Sequence, residues 1–241
     1  MDPAAERALL RGVDIFAGLD DRALDDVLRA AERRRIAKGD TVFDQGEEAR
    51  AFYVLTEGRL RVTQVTPEGQ RVVVRFISQA EMFGCVAAFG GGRYPGTATA
   101  VEDGRLIGWT QGAARHLMER HPRFAMNALG TVGGRLQETQ ARVRELSTER
   151  VERRIAHALV RLAQQAGRRV RGGGVEIDFP ISRQDIAEMT GTTLHTVSRT
   201  LSAWEAQGIV EGGHRQKVLI RRPHALVAIA EDLPPAAASE P

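Results

Sequence analysis

The stretch ISRQDIAEMTGTTLHTVSRTLSAWEAQGIV (residues 181–210) has the pattern of two helices joined by a tight turn. Ser182 and Asp185 stand at the spacing of a capping box, which predicts a first helix over about 183–190. The TGTT segment (190–193) follows as a turn, in which glycine supplies backbone freedom and a threonine caps the next helix. This arrangement predicts a helix-turn-helix unit, although an ordinary surface helix hairpin would have the same periodicity.

The second helix has two chemically different faces. Val197, Leu201 and Trp204 recur at spacings of four and three and form an apolar stripe. On the opposite face Arg199 is the best candidate for a bidentate contact to guanine. Phosphate contacts or helix caps are expected of Thr193 and Thr196. The candidate DNA-contacting residues of the unit are Arg183 (a phosphate anchor or a solvent-exposed side chain), Thr193, His195, Thr196, Ser198, Arg199 and Ser202.

A winged extension is predicted after Val210. Two short strands flank a glycine turn, and Arg215 and Lys217 at its tip are candidates for phosphate contacts. Charge supports this location: residues 149–222 carry 13 basic and 8 acidic residues, a net charge of +5, whereas 1–148 carry a net charge of +1. The tail 223–241 has a net charge of −3, and its end is expected to be disordered.

Composition excludes several classes of protein. The chain has 241 residues, of which 42% are hydrophobic and 27% charged, as in ordinary globular proteins. It has no apolar run of about 18 residues and no signal-peptide pattern at its start, so a cytoplasmic protein without a membrane segment is expected. Its single cysteine, Cys85, excludes an internal disulfide and an iron–sulfur cluster held by one chain.

The first half of the chain has the pattern of an antiparallel β domain. A helical segment is predicted over 5–32, and short runs rich in Val, Ile, Phe and Tyr then recur between glycine turns. Such runs favour a jelly roll or sandwich over a parallel sheet. The predicted strands are Thr41–Phe43, Ala51–Thr56, Leu60–Thr66, Val72–Ile77, Thr97–Val101 and Leu106–Trp109.

A long helix is predicted to connect the two halves, from Pro122 to about Leu146. Its apolar residues recur at alternating spacings of three and four, which is typical of a dimer seam, although a helix packed on its own domain can have the same stripe. Gly133-Gly134 lowers the intrinsic helix propensity, by roughly 1 kcal/mol per glycine. The seam consists of Leu129, Val132, Leu136, Thr139, Val143 and Leu146.

The segment IAKGDTVFDQGEEARAFYVLTEGRLRV (36–62) resembles the cyclic-nucleotide-binding fold, with glycines at the expected turns. Together with the helix-turn-helix it makes the chain similar to the CRP/FNR family of bacterial transcription factors. The resemblance implies an α+β protein with four parts. They are a β-roll sensor domain (1–121), a dimerisation helix (122–148), a winged helix-turn-helix domain (149–222) and a C-terminal extension (223–241).

The effector segment departs from the family pattern. Cyclic-nucleotide binders of the family have Phe-Gly-Glu and, further on, an Arg-Ser or Arg-Thr pair. In this chain Cys85 replaces the glutamate, and Pro95-Gly96 stand about where the Arg-Ser or Arg-Thr pair would be. Binding of cyclic AMP in the family's usual manner is therefore not expected, because two strong polar contacts are missing. The candidate pocket residues are Phe83, Gly84, Cys85, Arg93 (an alternative cation), Tyr94 and Thr97.

Haem-mediated sensing of a gas such as nitric oxide is the favoured alternative, by analogy with the family's gas-responsive branches. Tyr94-Pro95 resembles the branch that controls denitrification. The candidate axial ligands are Cys85, His116 and His121, although such histidines are usually surface or capping residues. Thiol chemistry at Cys85 is a second idea, beside the ordinary role of a small buried apolar residue.

The resemblance implies a homodimeric regulator that binds double-stranded DNA at a palindromic, TTG-like site and acts on RNA polymerase as an activator. By family analogy Arg199 reads guanine, Ser198 contacts the neighbouring T·A pair, and His195 replaces a glutamate that most relatives carry. The sequence contains no nucleophile–base set, zinc motif or phosphate loop, so an enzyme is not expected. The alternative function is a small-molecule-binding regulatory module without specific DNA binding.

Overall fold

The computed structural model describes residues 2–86, 92–212 and 217–234. Its contacts divide the chain into two units, with the division between Thr139 and Gln140. Each unit is built around its own buried apolar residues.

The first unit begins with α1 (Pro3–Arg11), a 3-10 turn (Asp14–Phe16) and α2 (Asp21–Arg29). The helical segment predicted over 5–32, with a helix N-terminus near Asp20-Asp21, is present but is divided, because the chain turns at Gly18 with φ +70°. Asp20 then starts α2 afresh, accepting a hydrogen bond from the backbone N–H of Ala23 (2.8 Å).

The strands of this unit form two four-stranded antiparallel sheets with the orders β1-β8-β3-β6 and β2-β7-β4-β5. Apolar residues of both sheets, such as Leu55 and Leu60, share one buried cluster, as in a sandwich. The prediction of an antiparallel β-roll is confirmed. The strands are β1 (Glu32–Ile36), β2 (Thr41–Phe43), β3 (Ala51–Glu57), β4 (Leu60–Val65), β5 (Arg71–Ile77), β6 (Met82–Phe83), β7 (Thr97–Ala100) and β8 (Gly104–Thr110).

Two of these strands, β1 and β6, were not among the predicted ones. The sequence of β1, ERRRI, has no apolar alternation, and only Ile36 is buried. It lies at a sheet edge, where charged side chains are common because they discourage pairing with other molecules. The two residues of β6 pair with Tyr53 and Val54 of β3, a contact too short to leave a sequence pattern.

Two helices complete the first unit, α3 (Gln111–Arg120) and α4 (Pro122–Thr148), the second of which continues into the second unit. The early part of α4 is anchored in the first unit. Phe124 is buried there, and Asn127 donates hydrogen bonds to the carbonyls of Ile15 (3.1 Å) and Ala17 (2.8 Å). The helix is continuous through Gly133-Gly134, as predicted.

The second unit combines helices with a small antiparallel sheet of order β11-β12-β10-β9. Helix α8 packs on α5: Leu226 and Ala230 are buried, and Arg153 donates to the carbonyl of Ala230 (3.1 Å). The extension predicted from 223 thus starts as a packed helix. The elements are α5 (Val151–Ala166), β9 (Gly167–Arg169), β10 (Val175–Pro180), α6 (Arg183–Thr190), α7 (Leu194–Ala206), β11 (Val210–Glu211), β12 (Lys217–Ile220) and α8 (Pro223–Ala230).

Within the described residues, no helix combines the length and the apolar character that crossing a lipid bilayer requires.

Candidate nucleic-acid interface

The start and end of α6 are fixed by local hydrogen bonds. The Ser182 hydroxyl accepts from the backbone N–H of Asp185 (3.0 Å), and the Asp185 carboxylate accepts from the backbone N–H of Ser182 (3.1 Å). Gly191, at φ +61°, closes the helix in the left-handed region. The predicted capping box and glycine turn are confirmed, and they set where the next helix begins.

Helix α7 starts with a threonine cap. Thr193 Oγ1 accepts from the backbone N–H of Thr196 (3.1 Å) and lies 2.9 Å from the Thr196 hydroxyl. Of the two roles expected for these threonines, the structure therefore shows the cap. The cap fixes the direction in which the first turn of α7 presents its side chains.

The apolar face of α7 holds the helix in place. Val197, Leu201 and Trp204 are buried, as the sequence spacing predicted. The Trp204 indole N–H donates to the Glu152 carboxylate on α5 (3.2 Å), so this buried ring has a polar partner. One face of α7 is thereby fixed, and the opposite face is left free to meet a ligand.

The opposite face presents His195, Arg199 and Ser202 to solvent, with Ser198 partly buried beside them. Among the described residues, the Arg199 guanidinium has no hydrogen bond or ion pair. A free arginine fork can give both of its parallel N–H groups to one acceptor pair, such as guanine O6 and N7. The exposed face therefore has the donors that base reading requires.

Arg183 differs from the prediction of a phosphate anchor or a solvent-exposed side chain. Its side chain is buried, with the residue 9% exposed, and Nη2 lies 3.2 Å from the Glu205 carboxylate of α7. The nearby position of Glu205 could not be read from sequence spacing, because the turn between the helices brings the two residues together. In this structure the Arg183 side chain therefore joins α6 to α7.

The wing is partly described. Arg215 lies outside the described residues. Lys217 begins β12, where its ammonium group is paired with Asp178 and lies 3.9 Å from Glu176. Its charge is thus partly neutralised within the unit, in contrast to the expected free cation at a wing tip.

The hairpin of β9 and β10 carries two cations that were not assigned a role from the sequence. Arg169 and Arg171 are exposed, and neither guanidinium has an ion pair with another described residue. Arg168 beside them is paired with Glu176 (3.0 Å), which raises the pKa of the Arg168 guanidinium. In the sequence, the basic run RRVR (168–171) indicates a cationic hairpin, but it does not show which of its arginines is paired. The structure shows that Arg168 is paired and that Arg169 and Arg171 have no ion pair with described residues.

In the sensor unit, two of the predicted pocket residues fill the interior of the β-roll. Tyr94 stacks on Phe43 with ring centroids 3.7 Å apart, and Phe83 and Tyr53 complete an aromatic cluster. The Tyr94 hydroxyl donates to the Ala51 carbonyl (2.6 Å) and accepts from the Ala51 N–H (3.2 Å). Burial raises the pKa of Tyr94, and it raises the pKa of Tyr53 to about 12.

The other predicted pocket residues make structural contacts. Arg93 is exposed and donates to the Gly46 carbonyl (2.6 Å), and Thr97 Oγ1 accepts from the Gln45 N–H (2.9 Å). Gly84 has φ +68°, and a Cβ there would lie 3.2 Å from the Ala51 carbonyl, so glycine is required. Cys85 is partly buried and packs on apolar core residues. The polar groups of Arg93, Tyr94 and Thr97 are thus each engaged by the backbone of a neighbouring segment.

A pair of arginines near this region has no counterpart in the sequence predictions. Arg75 on β5 donates to the Met82 carbonyl (3.1 Å) and lies 3.7 Å from the Glu81 carboxylate. Burial, and next the charge of Arg135 on α4, lower the pKa of Arg75 to about 10.

The candidate haem ligands lie in different local settings. His121 Nε2 lies 3.1 Å from Asp26, whose pKa is lowered chiefly by a hydrogen bond from Arg29. His116 is on the exposed side of α3. Cys85 is partly buried, as His121 is, and packs on apolar core residues. No cluster of three or more potential metal-binding side chains occurs among the residues described.

The predicted seam on α4 is open to solvent. Leu129 is 64% exposed, Leu136 57% and Val143 58%, while Val132 and Leu146 are 40% and 44% exposed. A contiguous row of large apolar side chains on a helix is normally covered by a partner. Phe124 and Ala128, near the start of the same helix, are instead buried in the first unit.

Comparison with known proteins agrees with both halves of this architecture. Residues 33–121 match the cyclic nucleotide-binding domain family, and residues 153–229 match the Crp-like helix-turn-helix domain family. Transcriptional regulator LdrP of Thermus thermophilus is 30% identical over 188 residues, which cover 78% of this chain and 91% of that protein. The Cyclic AMP receptor protein of the same organism is 29% identical over 204 residues, which cover 85% of this chain and 91% of that protein.

A solved structure shows the same fold. FixK2 from Bradyrhizobium japonicum has a TM-score of 0.72 and 22% identity, covering 86% of this chain and 99% of that one. The fold and the helix-turn-helix define a DNA-binding transcription regulator with a sensor domain of the cyclic-nucleotide-binding type. The chain belongs to the CRP/FNR family, which confirms the resemblance read from its sequence. Its relatives are transcription regulators, consistent with a protein that is not an enzyme.

Proposed function

We propose that the protein acts as a homodimer on a palindromic, TTG-like DNA site, with one α7 helix reading each half-site. The observation that carries this proposal is the exposed, unpaired Arg199 on a helix whose other face is buried and whose start is capped. A two-fold dimer presents its two reading helices symmetrically, which requires half-sites roughly 34–36 Å apart.

The long helix α4 supports a coupling between sensor and reader. Phe124 near its start is buried in the first unit, whereas its last residues, from Gln140, belong to the second unit, where Glu145 is paired with Arg161 (2.7 Å). In this proposal, a change in the first unit reaches the reading helix through the continuous helix α4. In this proposal the regulator contacts RNA polymerase once it is bound to DNA.

The effector, in this proposal, is not cyclic AMP bound in the family's usual manner. Cys85 stands where a glutamate would contact the ribose, and Arg93 is held by the Gly46 carbonyl. The hydroxyl of Tyr94 is likewise occupied by the backbone of Ala51. Gas sensing through haem stays the favoured alternative of this proposal, with Cys85, His116 and His121 as the candidate axial ligands.

Selection from random double-stranded DNA, followed by gel-shift titration, tests the DNA-binding proposal. The full-length protein should enrich a palindrome with a G·C pair at a fixed position in each half-site. Specific protein–DNA binding is typically about 10³–10⁷-fold tighter than binding to random DNA. Failure to enrich any sequence, in reducing and oxidising buffer alike, would reject the proposal.

His195→Glu is expected to change the base preference at one pair of each half-site. Glutamate accepts a hydrogen bond from cytosine N4, whereas histidine can donate or accept. The same selection performed on both proteins measures the change, which should be confined to one position. His195 is exposed, so the variant should fold like the parent. Identical motifs from the two proteins would show that His195 does not read bases.

A further inference from the structure

An open groove in the second unit lies between the start of α5, the end of α7 and helix α8. Its cavity volume is about 720 Å³, within the range of roughly 300–1,000 Å³ that is usual for binding sites. Gln207 lines the groove just beyond the end of α7, whereas the proposed reading residue Arg199 lies about 12 Å earlier along the helix, at about 1.5 Å per residue. The groove is therefore separate from the reading face.

The floor of the groove is apolar because of the composition of α8. After His224 the helix reads ALVAIA, with no polar residue on any side, yet only Leu226 and Ala230 are buried. Ala228 and Ile229 face the groove and remain partly exposed. A helix that is apolar all round is normally covered on more than one side. Leu233, 57% exposed at the same groove, extends this uncovered surface.

The rim of the groove is basic. Four arginines and two carboxylates line it; Arg153 is paired with Glu149 and Asp232, and Arg221 is paired with Glu211. Arg150 and Arg222 are exposed, and their guanidinium groups have no partner among the described residues. An apolar floor thus lies beneath two arginine forks that make no ion pair with the described residues.

We propose that this groove docks an acidic, amphipathic segment of a protein partner. Apolar side chains of the segment would cover Ala228 and Ile229, and its carboxylates would pair with Arg150 and Arg222. Arginines around an apolar centre are typical of protein interfaces. A DNA backbone would satisfy the arginines but leave the apolar floor in water, so it fits the groove less well. The proposal does not depend on which DNA sequence the protein reads.

A library of random 12-residue peptides displayed on phage, selected against the full-length protein, tests the proposal. Enriched peptides should combine Asp or Glu with large apolar residues, and a fluorescent copy of the leading peptide gives the affinity by anisotropy. Arg150→Glu/Arg222→Glu should weaken binding at least about tenfold, because two attractive pairs become repulsive. Acidic residues are tolerated at helix N-termini, where both arginines lie, so this variant should fold.

Ala228→Glu provides a second variant that acts on the floor rather than on the rim, with the same expected loss. Arg171→Glu, an exposed arginine outside the groove, is the matched control and should bind the peptide like the parent. Affinity for the selected DNA site should stay within about twofold in Ala228→Glu, and in Arg150→Glu/Arg222→Glu it should fall much less than affinity for the peptide. Peptides that are insensitive to both changes, or a library without enrichment, overturn the proposal. An equal loss of DNA affinity would also overturn it, and would make the groove a phosphate-binding track.

Discussion

Arg199→Ala is expected to cost about 1–3 kcal/mol of binding free energy at one G·C pair in each half-site, and to relax the preference there. The guanidinium is exposed and has no partner among the described residues, so its removal should leave the free energy of unfolding within about 0.5 kcal/mol of the parent. Gel-shift titration on the selected site, on the site with that pair changed, and on random DNA measures the loss.

Arg171→Ala supplies the comparison for this prediction. Arg171 is an equally exposed arginine in the β9–β10 hairpin, away from α7, so its removal should not alter preference at any base pair. If Arg199→Ala instead weakens specific and random DNA by the same factor, Arg199 contacts phosphate and not a base. That result would leave the helix-turn-helix in place and transfer base reading to His195 or Ser198.

The local chemistry of the helix-turn-helix could be predicted from sequence because its determinants are close together in the chain. Ser182 and Asp185 are three residues apart, and the cap at Thr193 bonds within its own turn. The same holds for the apolar stripe of α7, whose spacing follows from helix geometry alone. The structure confirms each of these features within one residue.

Contacts between distant residues could not be predicted in this way. Arg183 pairs with Glu205, 22 residues away, only because the turn folds α7 back on α6. Tyr94 bonds to Ala51, 43 residues away, through the topology of the β-roll. From the sequence, Arg183 and Tyr94 therefore looked like free polar groups at functional positions, whereas both are engaged within the fold.

The effector remains the part of the function that the sequence predicts least. A family motif identifies the effector only where the chain keeps the residues of that motif. Here Cys85 replaces the motif's glutamate, so the motif does not identify the effector. The aromatic filling around Phe43 arises from strands and a loop residue, Tyr94, that are far apart in the chain. Such features depend on tertiary packing, which propensity and periodicity do not describe.

Leu136→Glu is expected to convert the proposed dimer to a monomer. Leu136 lies in the middle of the exposed seam, so a two-fold dimer would bring the Leu136 side chain of one subunit close to the Leu136 side chain of the other. A carboxylate there must be desolvated beside an apolar surface and a like charge, which should raise the dimer Kd at least about 100-fold, or about 3 kcal/mol. Because Leu136 is 57% exposed in the single chain, the stability of the monomer should change little. Sedimentation velocity across a concentration series measures the dimer Kd.

Gln137→Glu adds the same charge one residue further along α4, off the seam, and should leave the dimer Kd within about twofold of the parent. The pair of variants therefore separates the effect of position from that of charge. Loss of the dimer should also reduce affinity for the palindrome more than affinity for a single half-site, because the second half-site is then no longer bound intramolecularly. If Leu136→Glu stays dimeric with an unchanged Kd, the seam is not the interface, and the exposed row on α4 must be covered by another surface.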